Sequence, residues 1–283
     1  MTSATGAVLI RVERRGGRSV VTRCSGAAPV APRIVTGDRA DWAQVVLVSS
    51  IAGPLAGDRV SLEVEVGAGA RLDLRSAAAT IAYPAAGRHH ERSSQRMRCT
   101  VGTEGRLRWR QAELVLVSGS RHESLVELHL ESGGAAVVEE TVIGGRHGEP
   151  GGSLVASMHC NLDGRPLLRE GVIIEPKDPV TTSVVVLGGA RVYGSVSLLG
   201  LSAVSENPGE LRLAGTGCLL RAIADDALAV SRRLARARHA YLARLAMLPG
   251  PAAAAIPRCG EECPQPAARA MLTRLEMVPG PVR

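Results

Sequence analysis

The 283-residue chain has no phenylalanine, two tryptophans and three tyrosines. That excludes a core built on stacked rings, so packing must come from Val, Leu, Ile and Ala. It also speaks against single-stranded nucleic acid as a ligand, because such ligands are held on aromatic platforms. Lysine is nearly absent: Lys177 is the only one, and arginine supplies the rest of the 34 cations, which face 27 carboxylates for a formal charge of +7. The arginines are scattered rather than run together, so the sequence shows no basic stripe of the kind that binds nucleic acid. An acidic protein partner is a further use for such a charge. Long apolar runs are missing as well. The opening "MTSATGAVLIRVERR" holds four apolar residues in a row, too few for an export signal. The region 184–204 is broken by Arg191, glycines and serines, which reads as strands and not as a membrane span. Six cysteines, at 24, 99, 160, 218, 259 and 263, follow no disulfide framework; reduced thiols in a cytoplasmic protein fit them.

What the chain does have is glycine, 32 residues of it, set among short valine-rich stretches that alternate with period two. "AVLIRVERRGGRSVVTRC" reads as a hairpin turning at Gly16-Gly17. In "RVSLEVEV", Val60, Leu62, Val64 and Val66 share a face; in "LVELHLE", Val126, Leu128 and Leu130 do. "SLVASMHCNLDGRPLL" turns at Asp163-Gly164, and "VTTSVVVLGG" with "RVYGSVSLLG" reads as another strand pair. One phrase recurs: "VEVGAGARLDL", "CTVGTEGRLRW" and "LHLESGGAAVV" are each strand, glycine turn, strand. Val66 and Val101 are 35 residues apart but Val101 and Leu130 only 29, too irregular for a strict solenoid. The pattern predicts a mainly β body of stacked antiparallel layers. "LLRAIADDALAVSRRLARARHAYLARLAML" breaks it with helical spacing and predicts one principal helix over 223–247, ended by Pro249 and Pro251. In it Leu228, Ser231 and Ala235 form one face, and Val230, Leu234, Arg238 and Tyr241 another. Residues 1–248 then form the body, and the proline-rich 249–283 a mobile tail whose "PAARAMLTRLEM" suits a short amphipathic helix.

Catalytic signatures are missing: there is no P-loop, dinucleotide fingerprint, HExxH, G-x-S-x-G or CxxC. Cys259 and Cys263 lack the two further ligands of a structural zinc site. His89-His90-Glu91 is the most metal-like cluster, although adjacent strand residues point to opposite faces. The acidic segments are more suggestive. Asp58 follows Gly57 just before a strand; Glu139 and Glu140 lie in a strand that leads to Arg146 and Glu149 in a glycine-rich loop. There the plain reading is an Arg–Glu pair that holds the loop shut, and it stands beside a functional one.

Taken in order, these segments resemble the UreD family of urease accessory proteins, also called UreH, over roughly residues 50–245. The family's Gly-rich stretch ending in Gly-Asp is "AGPLAGD", with Asp58. Its Ala-Thr-Lys segment followed by an aromatic is "RSAAATIAY", with Thr80 and Tyr83 kept and Ile81 in place of the usual Lys. "RLRWRQAE" keeps Leu107, Trp109 and Glu113, with Gln111 where proline is usual. Glu140, Gly145-Arg146 and Gly148-Glu149 match a further phrase, and "DGRPLLREGVII" is also similar. The resemblance implies a β-helix-like fold and a scaffold, not an enzyme. It would bind UreF, and through it the GTPase UreG, and dock both on the urease apoprotein. No cofactor would be tightly bound; nickel would pass through on its way to urease. Asp58, Glu140 and Glu149 are the expected oxygen ligands of such a path, because carboxylates hold nickel more loosely than Cys or His. Two other readings stand beside this one: an acid–base enzyme using Glu140 and Glu149, and a nucleic-acid-binding β protein.

Overall fold

A computed structural model describes residues 3–37, 41–87, 90–176, 178–183, 187–202 and 207–247. Sheet A contains β1 (Thr5–Arg15), β2 (Arg18–Gly26), β5 (Arg59–Val66), β8 (Ser93–Val101), β11 (Arg121–Leu130), β13 (Ser153–Leu162) and β14 (Arg165–Ile174), in the order β14-β13-β11-β8-β5-β1-β2. Sheet B contains β3 (Val30–Val35), β4 (Ala43–Ser49), β6 (Arg71–Ser76), β9 (Arg106–Arg110), β12 (Ala135–Ile143), β15 (Val192–Leu199), β16 (Leu211–Arg212) and β17 (Gly217–Ala224), in the order β16-β17-β15-β12-β9-β6-β4-β3. Two short strands join it, β7 (Thr80–Ala82) and β10 (Leu114–Leu116), with β10 paired to β12 and β7. A single helical turn, α1 (Pro179–Thr182), and the long α2 (Ala227–Met247) complete the described chain.

The repeated phrase is the corner between the two sheets. Residues 67–70, 102–105 and 131–134 carry the chain from β5 to β6, from β8 to β9 and from β11 to β12. These corners sit one on another: Gly102 N donates to Val66 O at 2.7 Å, Gly69 N to Thr103 O at 2.8 Å, and Glu104 N to Ser132 O at 3.0 Å. Glycine is required there by space. A Cβ on Gly102 would lie 2.9 Å from Ala68 N, and one on Gly134 would lie 2.8 Å from Glu131 O. The recurring phrase therefore makes coils of a β-solenoid-like stack, and each turn leads to the opposite sheet rather than back along its own strand. Between coils the ladders are parallel, β5 to β8 to β11 to β13 on one side and β6 to β9 to β12 on the other. Antiparallel pairing closes the ends, at β1–β2 and β3–β4 and again at β13–β14, β12–β15 and β15–β17. The uneven 35- and 29-residue spacing does not break the stack. Val66, Val101 and Leu130 are register partners, and the difference is taken up by the return connections 77–92 and 111–120.

In-register stacking turns alternation into continuous inner rows. Leu62, Met97, Val126 and Met158 form one row on sheet A; Leu74, Trp109 and Val138 form a facing one on sheet B. All are buried, and each adds on the order of 1.5–3 kcal/mol through apolar burial. The expected hairpins at Gly16-Gly17 and Asp163-Gly164 are present. The helix starts at Ala227 instead of 223, because β17 continues to Ala224 and the chain turns at Asp225-Asp226, where Asp226 Oδ1 accepts from Ala229 N. Of its two expected faces, Val230, Leu234 and Tyr241 are buried and Leu228 is exposed. The strand expected at "VTTSVVV" is replaced at its start by α1, whose first turn is capped by Asp178 and opened by Pro179. Residues 184–186 and 248–283, including the proline-rich tail, the Cys259/Cys263 pair and the short amphipathic segment, lie outside the described residues.

The corners yield a direct test. Gly102→Ala adds one methyl against neighbouring backbone and should cost about 1–3 kcal/mol by overpacking. Gly164→Ala meets nothing within 4 Å at a φ of +74° and should cost only the left-handed penalty of roughly 1 kcal/mol. Urea unfolding of both variants checks the order.

Candidate functional site

Parity along the strands decides which polar groups enter the stack. On β12 the inward residues run Ala136, Val138, Glu140. Glu140 is in register with Ser195 on β15, and Ser195 with Arg221 on β17. On sheet A the row Met97, Val126, Met158 continues on β14 at Glu170. The interior thus changes from apolar in the early coils to polar in the last one. Ser195 Oγ donates to Glu140 Oε1 at 3.1 Å; Tyr193 Oη donates to Glu170 Oε1 at 3.2 Å. Arg221 reaches the same Glu170 oxygen, at 2.6 Å from Nη2, with its guanidinium partly in solvent. Glu170 Oε2 and Ser197 Oγ are buried with no partner among the described residues. Burial, with the nearby Glu170 carboxylate adding to it, pushes the Glu140 pKa up to about 7. Burial also raises Tyr193, which stays a donor throughout the physiological range.

Two openings flank this cluster. β9 ends at Arg110 and β10 starts at Leu114, so the ladder beside β12 lapses after Glu139 and resumes at Val142. A polar cavity of about 290 Å³ fills the lapse, lined by Glu113, Glu139, Glu140, Ser195 and, from α2, Ser231 and Arg238. Glu139 points the opposite way from Glu140, toward α2, and takes Arg238 at 2.8 Å. On the other side lies a mostly apolar groove of about 340 Å³ between residues 144–152 and 187–191, lined by Glu149, Ile174, Leu187, Arg191 and Tyr193. Tyr193 therefore borders the groove and touches the Glu170 end of the cluster.

The residues singled out from sequence fall in different places. Glu140 and Glu113 meet at the polar cavity. Glu149 lines the apolar groove, where Arg146 grips it with Nε–Oε1 at 2.9 Å and Nη2–Oε2 at 3.1 Å, the plain pairing that closes the loop. That pair holds the Glu149 pKa down at about 2. Arg191 fastens the same loop through the carbonyls of Gly144, Arg146 and Glu149. Asp58 is buried, and its two oxygens accept from Ala4 N at 2.7 Å and Leu55 N at 2.8 Å, so it staples the 53–58 loop to the N-terminal strand. Trp109 is a core residue at 1% exposure. Thr80 N donates to Glu113 O at 2.8 Å and Tyr83 N to Pro54 O at 2.9 Å, which ties the return connections together. Ile81 pairs with Val115 inside β7. His89 lies outside the described residues, and His90 is exposed. Among the described residues no group of three or more His, Cys, Asp or Glu is arranged to hold a metal ion, and no helix is long and apolar enough to cross a membrane.

Comparison with known families places this geometry. The UreD urease accessory protein model matches residues 4–259. The chain belongs to the UreD family. It is 35% identical over 262 residues to the urease accessory protein UreD of Parafrankia sp. (strain EAN1pec), covering 82% of this chain and 87% of that one. It is 34% identical over 253 residues to UreD of Frankia alni, covering 78% and 84%. Urease accessory protein UreD 1 of Streptomyces griseus subsp. griseus is 34% identical over 228 residues, covering 80% and 88%. The UreD-like segments noted in the sequence are thus distributed between the coil returns, the 144–149 loop and the polar end of the interior.

The raised pKa of Glu140 has a consequence for stability. Its usual value is 4.5. Between about pH 4.5 and 7 the unfolded chain ionises this group while the folded one does not, so folding loses stability as pH rises and the loss levels off above pH 7. Glu140→Gln removes that cost and keeps an acceptor for Ser195. The variant should melt higher than the parent at pH 8 and close to it at pH 5; equal shifts at both values would count against the burial of this carboxyl.

Proposed function

We propose that the protein serves urease maturation as a non-catalytic scaffold, docking with UreF and the GTPase UreG on the urease apoprotein and passing nickel toward the urease active site. Family membership supports the accessory role. The carrying observation for nickel is that Glu140 and Glu170 lie near enough in the last coil for one carboxylate to act on the other, with a polar cavity on one side and a groove on the other. Two carboxylates with hydroxyl neighbours supply oxygen ligands enough to accept a divalent cation and too few to keep it. A carboxyl near neutrality also changes charge readily, which suits uptake and release. Nickel is cargo here, not a resident cofactor. In this reading the path runs from Glu113 and Glu139 at the cavity, past Glu140 and Glu170, to Tyr193 and Glu149 at the groove. Asp58 is left off it, since both its oxygens accept from backbone amides and it lines neither opening.

A carboxyl held near neutrality would also suit general acid–base catalysis. The partner that role needs, Glu149, is locked to Arg146 outside the cluster, and Glu170 is paired with Arg221. In the transit reading Arg146 and Arg221 neutralise these carboxylates between passages of the ion.

The test is a Glu140→Gln, Glu170→Gln double variant, produced with urease and the other accessory proteins. It should co-purify with UreF and urease at the parent's level, while the nickel content and activity of urease fall several-fold. Loss of assembly in step with activity would make these residues structural and remove them from the path.

A further inference from the structure

We propose that the outer face of sheet B, along and beyond the edge of α2, is a docking surface for an acidic segment of a protein partner. The helix packs on β12, β15 and β17. Alongside it, register carries one row across four strands: Arg33 on β3, Val46 on β4, Arg75 on β6 and Arg110 on β9, with Arg75 and Arg110 each lining a cavity at the edge of the helix. The row runs outward, because the alternate residues Val45, Leu74 and Trp109 fill the core. At roughly 4.8 Å per strand, its three arginines span about 14 Å.

These charges are not neutralised within the fold. Among the described residues Arg75 and Arg110 have no hydrogen-bond or ion-pair partner, and Arg33 reaches only the carbonyl of Pro32. Three of the nearby acids are occupied; Glu113, which lines the same cavity as Arg110, is not among them. Asp41 takes Arg71 at 2.6 Å, Asp73 takes Arg108 at 3.5 Å, and Glu139, next in the row after Arg110, takes Arg238. Arg75 and Arg110 are direct register partners, and like charges set opposite each other on a sheet are destabilising. Sheet A shows the alternative: on its outer face Arg11 meets Glu65 at 2.6 Å, and Arg96 and Arg98 both meet Glu127. Ion pairing is thus used on both sheets, at Arg71 and Arg108 on sheet B as well, and the row through Arg75 and Arg110 is left out of it.

An open row of guanidinium groups suits carboxylates, which it can hold in bidentate fashion. An extended segment with Asp or Glu at alternate positions presents one about every 7 Å on one side, so three carboxylates match the row's length. Nucleic acid fits less well. Trp42, the aromatic nearest this face, is 9% exposed and already lies under Arg71, so bases find no platform. The row ends at Arg110, which also lines the cavity that holds Glu140; a docked acidic segment would lie beside that mouth. That the partner is a protein rests on the scaffold reading; the charge of its docking segment does not.

The full-length protein should bind a fluorescein-labelled decaglutamate peptide, read by fluorescence anisotropy, with an affinity that falls as salt rises. Arg75→Glu with Arg110→Glu should weaken binding at least about ten-fold. Arg59→Glu with Arg165→Glu makes the same change in net charge on exposed arginines elsewhere and should have little effect. Arg75→Gln with Arg110→Gln, a milder pair, should lose affinity in the same direction and covers the case in which the glutamate variant fails to fold. Equal losses from both glutamate pairs, no peptide binding by the parent at low salt, or tighter row-dependent binding of an oligothymidylate of equal charge would each overturn the proposal. Peptide binding is read without urease, so failure of nickel delivery in the Glu140 and Glu170 variants bears on the proposed function alone.

Discussion

Everything in this body depends on the hydrogen-bonded stacking of its glycine corners. Each corner donates to the one before it, at Gly102 to Val66 and at Glu131 to Val101, and no Cβ intervenes. This contact sets the register between coils, and a slip of one residue would exchange every inward side chain for an outward one. With the register held, valine and leucine form continuous rows, and a chain without phenylalanine obtains a core from small units repeated in line. The single core tryptophan in those rows, Trp109, sits where Leu74 and Val138 flank it across sheet B.

The same register delivers polar groups to chosen places. Glu140 lies two residues beyond Val138 on the inward side, and Glu170 ends a row that runs through Val8, Leu62, Met97, Val126 and Met158. Neither position is in a loop. The polar interior follows from the last coil, where antiparallel closing strands bring Ser195 and Arg221 alongside Glu140. Outward parity has its own result: on sheet B it sets Arg33, Arg75 and Arg110 in one row that no carboxylate of the described residues pairs. One constraint therefore organises the core, the candidate nickel path and the candidate docking face.

Much of this was legible in the sequence, and what was not has identifiable causes. The hairpin turns at Gly16-Gly17 and Asp163-Gly164, the repeated corner and the buried helix face of Val230, Leu234 and Tyr241 all follow from local pattern. Alternation alone cannot tell parallel from antiparallel pairing, since both bury every second residue; stacked coils require knowing that each glycine turn changes sheet. Glu170 was missed although parity placed it among Leu168, Val172 and Ile174, because "LLREGVII" reads as an ordinary strand unless the buried side is known. Asp58 looked like a ligand because glycine precedes it, and the same glycine serves a tight loop in which the carboxylate accepts from Leu55 N and, across the loop, from Ala4 N. The pairing of Arg146 with Glu149, by contrast, was the plain reading of that loop and is what the geometry contains.

The central claim is that inward parity on the two sheets brings Glu140 and Glu170 near each other in the last coil. A carboxyl-carbon NMR titration of Glu140, in the parent and in Glu170→Gln, tests it most directly. Burial and the neighbouring carboxylate predict a midpoint near 7 in the parent and a lower one once Glu170 is neutral. A midpoint near the usual 4.5, unchanged by Glu170→Gln, would contradict the account.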